Sequence, residues 1–165
     1  MTFEARNLTH LADGLAVAVA ISLPWSTSAT GILVALWLFA ILPTLDGAAV
    51  RQAVTMPAGG LAVGLWALAA AGMLWADVNW AERLASLGSY HKLLVIPLLL
   101  AQFLRSDNGH WVLIGFFASV TVLLAVSWAL VLLPGLPWRA KYLGVPVKDY
   151  IAQSSEFAIC AFAAR

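Results

Sequence analysis

The chain has 165 residues, of which 62% are hydrophobic and 10% charged; its net charge is +1 and its mean hydropathy +0.90. Soluble domains carry roughly 25% charged residues, so these residues cannot supply the polar surface a water-soluble domain needs. The composition therefore predicts an integral membrane protein. It also argues against a nucleic-acid binder, since there is no basic excess and no basic-aromatic array to track a phosphate backbone.

Charge-free runs set the predicted helices, because about 20 apolar residues cross a hydrocarbon core of roughly 30 Å. The N-terminus has Arg6, the apolar stretch Gly14–Leu23 and small residues to Ala29, but Glu4 and Asp13 spoil a signal-peptide pattern. It reads as a retained first span. No charge occurs from Gly14 to Leu45, and one helix of that length would reach about 48 Å. A break at Pro24-Trp25-Ser26-Thr27-Ser28 divides it into spans over about 9–25 and 29–45. A loop from Asp46 to Thr55 carries Arg51, and Pro57 opens a third span to Ala76 whose glycines suggest close packing.

The fourth span is anomalous. Leu93–Leu104 would cover only about 18 Å, so the span must begin near Leu84, which places His91 and Lys92 inside it, Lys92 about 12 Å from that end. Pro97 implies a kink. Trp111–Leu133 is a fifth span free of charge, and a sixth begins near Tyr150 and stops at Arg165 in mid-pattern. Trp25, Trp75, Trp80, Trp111 and Trp138 fall near predicted span ends, as an interfacial aromatic belt would. The fold expected is all-α: a polytopic transmembrane helical bundle with five full spans plus the start of a sixth, as one membrane domain over residues 1–165.

Alternate loops place Arg6, Arg51 and Arg105 on one side and Arg83, Lys92, Arg139, Lys141 and Lys148 on the other. The positive-inside rule puts the second group in the cytoplasm; anion binding is an equally good reason for the same residues. Ionisable groups within spans mark sites by default. Lys92 with His91 is the first candidate, against a lysine snorkelling on its four-carbon stem. Gln153, Ser154, Ser155 and Glu156 are the second, against interhelical hydrogen bonding that only fixes packing. The third is the basic loop Arg139, Lys141 and Lys148 beside a helix start, which suits phosphate or pyrophosphate, against plain contact with lipid headgroups. Cys160 reads as a packing residue. No metal site and no cofactor motif is present, and the known hydrolase and phosphate-loop motifs are absent.

Ala81-Glu82-Arg83, then His91-Lys92-Leu-Leu-Val-Ile-Pro97, then Tyr142-Leu-Gly144-Val-Pro-Val-Lys148-Asp149-Tyr150-Ile-Ala-Gln153-Ser154 resemble the N-terminal portion of the bacterial O-antigen ligase and O-antigen polymerase family. The resemblance implies a multi-pass protein of the bacterial inner membrane. It implies transfer of polysaccharide from an undecaprenyl-pyrophosphate-linked donor to a lipid A-core acceptor in lipopolysaccharide biosynthesis, with no metal or nucleotide. With a cytoplasmic N-terminus, as such proteins have, the five-cation side faces the periplasm, where it would meet the donor. Lys92 and Lys148, then Arg83 and Arg139, are the expected phosphate contacts, with Tyr150, Gln153 and Ser154 orienting sugar or phosphate. The family's large periplasmic loop and its histidine base do not occur in these residues, so the expectation is a fragment inactive alone. A polymerase uses the same donor and stays open. A small transporter subunit, with Lys92 and Glu156 along its path, would show symmetric halves, and none is visible. A non-catalytic scaffold would use the same polar groups for packing alone.

Overall fold

The computed structural model describes residues 3–133, 144–147 and 150–163. Among these the chain is all-helical, with no strand. The helices are α1 (Phe3–Ser22), α2 (Thr27–Ile41), α3 (Gly47–Thr55), α4 (Pro57–Gly72), α5 (Trp80–Tyr90), α6 (Val95–Phe103), α7 (Gly109–Leu132) and α8 (Tyr150–Ala163). They fall into two compact units, one from the described residues up to Ala40 and from Asn108 onward, the other Ile41–Asp107.

Among the described residues three helices are long and apolar enough to cross a membrane: Thr27–Thr44, Trp80–Phe103 and Gly109–Leu132. The pair α3 and α4 would make a fourth only if counted together, and it is bent by 87°. The expected five full spans and start of a sixth are thus too many. Three short helices account for the difference. The described apolar part of α1, Asn7–Ser22, is short, because Pro24 ends the helix. The third predicted span opens at Pro57 as expected but loses its end, since α4 stops at Gly72 with 16 residues and reaches only about 24 Å. In α8 the apolar run Ile151–Ala163 is likewise short. Several helices that can cross a bilayer still make this a membrane protein.

In the first unit α1 and α7 pack side by side and run in the same direction. Asp13 meets Asn108, Val17 and Ile21 close on Gly115, and Ile21 and Trp25 meet Ser119. The buried face of α1 is Ala12, Ala16 and Ala20, and small residues at this spacing let helix backbones approach closely. A Cβ on Gly115 would stand 3.1 Å from Val17 Cγ1. The indole N–H of Trp25 donates to Ser119 Oγ at 2.8 Å, and Ser119 Oγ donates to Ile21 O at 2.7 Å. Ser119 lies about 15 Å along α7, so Trp25 is an internal tie and not an interfacial anchor. Trp75, Trp80 and Trp111 are exposed, and Trp138 lies outside the described residues.

In the second unit Asp46 to Thr55, expected as a loop, is helix α3. Asp46 caps it by accepting from the Ala48 N–H at 3.2 Å, and an alanine-rich stretch follows. Its buried Ala49 and Ala53 pack with Ala101 of α6. Pro57 then forces the bend. A residue before proline is driven to extended backbone, and Met56 has φ −70° and ψ 145°. Gly59 makes the fold-back possible, because a Cβ there would lie 2.1 Å from Ala53 O.

The longest run of this unit, Trp80–Phe103, has 24 residues and is continuous through a 3-10 turn at His91–Leu94. Pro97 explains that turn: it has no N–H to give the Leu93 carbonyl, and its ring crowds it. The chain tightens to 3-10 bonding just ahead, with the Val95 N–H reaching Lys92 O. At the far end the Arg105 guanidinium donates to Thr44 O, tying the end of α6 to the chain ahead of α3.

Gly59→Ala should lower stability by about 1–3 kcal/mol, the range for overpacking a tight site. Gly64→Ala, where a Cβ meets nothing within 4 Å, should be near neutral. Denaturation of the two variants in detergent or nanodiscs, followed by circular dichroism, checks the pair.

Candidate functional site

Most of the polar side chains in the apolar units are held by backbone groups, and that sorts the expected site residues. Within the first unit the chain turns inward before α8. Gly144, Val145 and Pro146 are all buried, and Gly144 has φ +73°, a left-handed backbone that glycine tolerates best. A Cβ there would also stand 2.9 Å from Val131 Cγ2. The carbonyl of Gly144 accepts from Ser127 Oγ and from Gln153 Nε2 at 3.3 Å, and the same amide donates to Ser127 Oγ at 3.1 Å.

Ser127 lies about 8 Å before the end of α7. Irregular backbone therefore sits inside the apolar unit, below the helix end. Non-helical backbone at membrane depth is tolerated only where protein covers it or water reaches it. Here Ser127 and Gln153 cover it. The elbow leads into the first turns of α8, whose leading N–H groups have no helical acceptor.

Gln153, an expected donor contact, is thus a member of this network. Ser154 donates to Ile151 O at 3.0 Å and Ser155 to the same carbonyl at 2.8 Å. Both face outward on α8, their protons spent on their own helix. Glu156 is half-buried with Oε2 enclosed by protein. Tyr150 opens α8, but its side chain lies outside the described residues. So do Arg139, Lys141, Lys148 and Asp149.

Within the second unit Arg83 and Lys92 lie on one helical run, about 14 Å apart along it. Arg83 faces away from Lys92, toward the α4–α5 connection. Its Nε donates to Val78 O at 2.8 Å and its Nη1 to Met73 O at 2.9 Å, with the guanidinium carbon 4.8 Å from the Trp80 ring centre. Asn79 caps α5 by accepting from the Glu82 N–H at 2.9 Å, and its amide donates to Glu82 Oε1 at 3.0 Å. Arg83 thus closes a loop in this structure.

Lys92 is placed differently. It is exposed on the 3-10 turn, about 18 Å from the Trp80 end and about 16 Å from the Phe103 end of its run. Because α5 extends back to Trp80, Lys92 is deeper than a start at Leu84 suggests, and beyond the reach of its own stem to either end. Among the described residues no carboxylate pairs with it. His91 beside it is exposed, and its ring centre lies 6.0 Å from that of Trp66 on α4. The Trp66 indole N–H is buried and without a hydrogen-bond partner among the described residues.

Sequence reasoning missed Ser127, Ser119, Asn108 and Trp66, each a single polar group in an apolar helix or turn whose role depends on its neighbour. Asp13 was noted only as a flaw in a leader pattern, yet it is 6% exposed. A carboxylate one residue ahead of a charge-free run was the signal available for it. No group of three or more histidine, cysteine or acidic side chains that could hold a metal occurs among the described residues.

No family model, curated protein or solved structure matches the chain.

Gly144→Ala should cost at least about 1–2 kcal/mol from the left-handed backbone alone. Ser127→Ala should cost about 1 kcal/mol, the worth of one hydrogen bond. Limited proteolysis ahead of α8 should speed up in both variants, more in the glycine variant.

Proposed function

We propose that the chain is the donor-binding part of an inner-membrane glycosyltransferase of the O-antigen ligase kind, acting on glycan linked to undecaprenyl pyrophosphate. The observation that carries this reading is the buried elbow at Gly144–Pro146 with Ser127 and Gln153. It coincides with the stretch through which the sequence resembles that family. Irregular backbone held by side chains within an apolar unit is costly to build, and such features concentrate at sites. Lys148 lies in the same connection, and the start of α8 offers N–H groups that suit an anion.

Lys92 supports the reading from the second unit. A lysine at mid-run with no described carboxylate partner is expensive, and a lipid pyrophosphate would repay that cost. In the proposed reaction a hydroxyl of the lipid A-core acceptor attacks the anomeric carbon of the donor sugar. The anomeric C–O bond breaks, and undecaprenyl pyrophosphate leaves with the bonding pair. Lys148, with Arg139, would offset the charge that grows on the leaving group, and Lys92 is a pyrophosphate contact of the second unit in its own right. Arg83 is a positioning residue in this scheme, since two of its donors are already spent. Gln153 holds the elbow, and Tyr150 and Ser154 orient the donor from the head of α8.

In nanodiscs of phosphatidylglycerol, the purified chain should retain undecaprenyl pyrophosphate and not undecaprenol, read by native mass spectrometry. Lys92→Ala and Lys148→Ala should each weaken retention about tenfold or more, the loss expected for one charge-assisted hydrogen bond of about 1.5–3 kcal/mol. Equal retention of both lipids, or unchanged retention in both variants, would overturn the reading.

A further inference from the structure

A buried donor remains that neither the fold nor the proposed reaction uses. The indole N–H of Trp66, on α4, is enclosed by protein and has no hydrogen-bond partner among the described residues. Buried side-chain polar atoms nearly always find a partner, and in apolar surroundings a stranded one is costly. A phenylalanine would pack a ring at this position without that cost.

Three contacts fix where Trp66 stands. A Cβ on Gly59 would lie 3.4 Å from Leu100 Cδ1, the ring centres of Trp66 and His91 are 6.0 Å apart, and Met73 O accepts from Arg83 Nη1 at 2.9 Å. These contacts fall at seven-residue steps along α4, so α4 runs antiparallel to Trp80–Phe103 within the one unit Ile41–Asp107. Trp66 is the middle contact, about 10 Å along the helix from either of the others. It is level with the 3-10 turn His91–Leu94. Lys92 follows His91 on that turn, about 2 Å further along.

The two polar groups left over at this level are both donors. An indole nitrogen and an ammonium accept no hydrogen bond, and no carboxylate pairs with Lys92 among the described residues. A ligand that satisfies both must bring acceptor oxygens and negative charge, which defines an oxyanion. A phosphoryl group fits best, because its three strong acceptor oxygens point in different directions and can serve donors on two helices. His91 is the neighbour able to give way. It is exposed, and among the described residues it makes no hydrogen bond.

We propose that the Trp66 N–H and the Lys92 ammonium bind one phosphoryl group, which enters as His91 turns aside. Lys92 supplies the charge, and Trp66 supplies a directed hydrogen bond. The site shares Lys92 with the proposed reaction and rests on that reading for one point, that a polyprenyl lipid carries the phosphate.

The test uses the full chain with isotope-labelled tryptophan, in a maltoside detergent that holds no phosphate. Magnetic resonance of the indole N–H groups is the readout, and the Trp66 signal is identified by its absence from Trp66→Phe. Undecaprenyl pyrophosphate, phosphatidylglycerol and inorganic pyrophosphate are titrated separately, with retention of each lipid followed by native mass spectrometry. The Trp66 signal should move downfield and saturate. Movement with the undecaprenyl lipid alone supports the site and its polyprenyl ligand. Equal movement with all three supports the phosphoryl site and removes the polyprenyl donor from it. Trp66→Phe should weaken retention about tenfold or more, the loss expected of a hydrogen bond to a charged group. The unfolding temperature of that variant without ligand should be unchanged or higher. A stationary Trp66 signal while undecaprenyl pyrophosphate is retained overturns this site and leaves the donor reading standing. Retention of no probe overturns both, and a signal that sodium chloride moves as far overturns the phosphoryl assignment.

Discussion

Backbone hydrogen bonding is the constraint on which the rest of this structure depends. In a chain this apolar, little water is at hand to satisfy a stray N–H or C=O, and each one left open costs several kcal/mol. The result is a protein of helices, in which every break needs its own remedy. At Pro24 the N–H of Ser26 returns to Ser22 O at 3.1 Å, and Trp25 and Ser119 stitch the end of α1 to α7. Ahead of Pro97 the helix tightens to 3-10 bonding. Before α8 the Gly144 carbonyl is taken by two side chains. The polar side chains collect at the breaks because the breaks are where the backbone needs them.

This also explains what the sequence could and could not convey. Membrane character and helical class followed from composition, since no other fold disposes of so much apolar surface. Pro24, Pro57 and Pro97 marked real helix boundaries or irregularities, because proline acts on its own backbone and needs no partner to do so. Span count was less legible. A hydropathy window registers that Met56–Pro57 interrupts nothing apolar, whereas the 87° bend depends on Met56 turning extended and on Gly59 admitting Ala53 O. Helix α3 was hidden for a related reason. Its alanines and Asp46 cap favour a helix, but ten residues between two apolar runs read as a connection until Ala101 is seen to pack on it.

Side-chain roles were the least legible part. Arg83 and Lys92 look alike in sequence as two cations before a proline. One is committed to the carbonyls of Met73 and Val78, and the other has no described carboxylate partner. A guanidinium carries five donors in a planar fork and can satisfy two carbonyls while resting on an indole. That is what Arg83 does with Trp80 beside it, and Arg105 does a simpler version at Thr44. An ammonium on a flexible stem has no such preference for a loop, so a lysine is a poor structural clasp. Asp13 was obscured in the opposite way, since its meaning rests on α1 and α7 being neighbours, and 95 residues separate it from Asn108.

The division between arginine and lysine bears on how a charge inside an apolar unit is to be read. Arginines near helix ends here close the backbone and so explain themselves. A charge that closes nothing has no such explanation. Among the described residues no carboxylate holds Lys92, and its place at the middle of a long apolar run is one that packing does not require, in surroundings that penalise charge. A cost that the fold does not recover is most simply recovered by a ligand, an anion at Lys92.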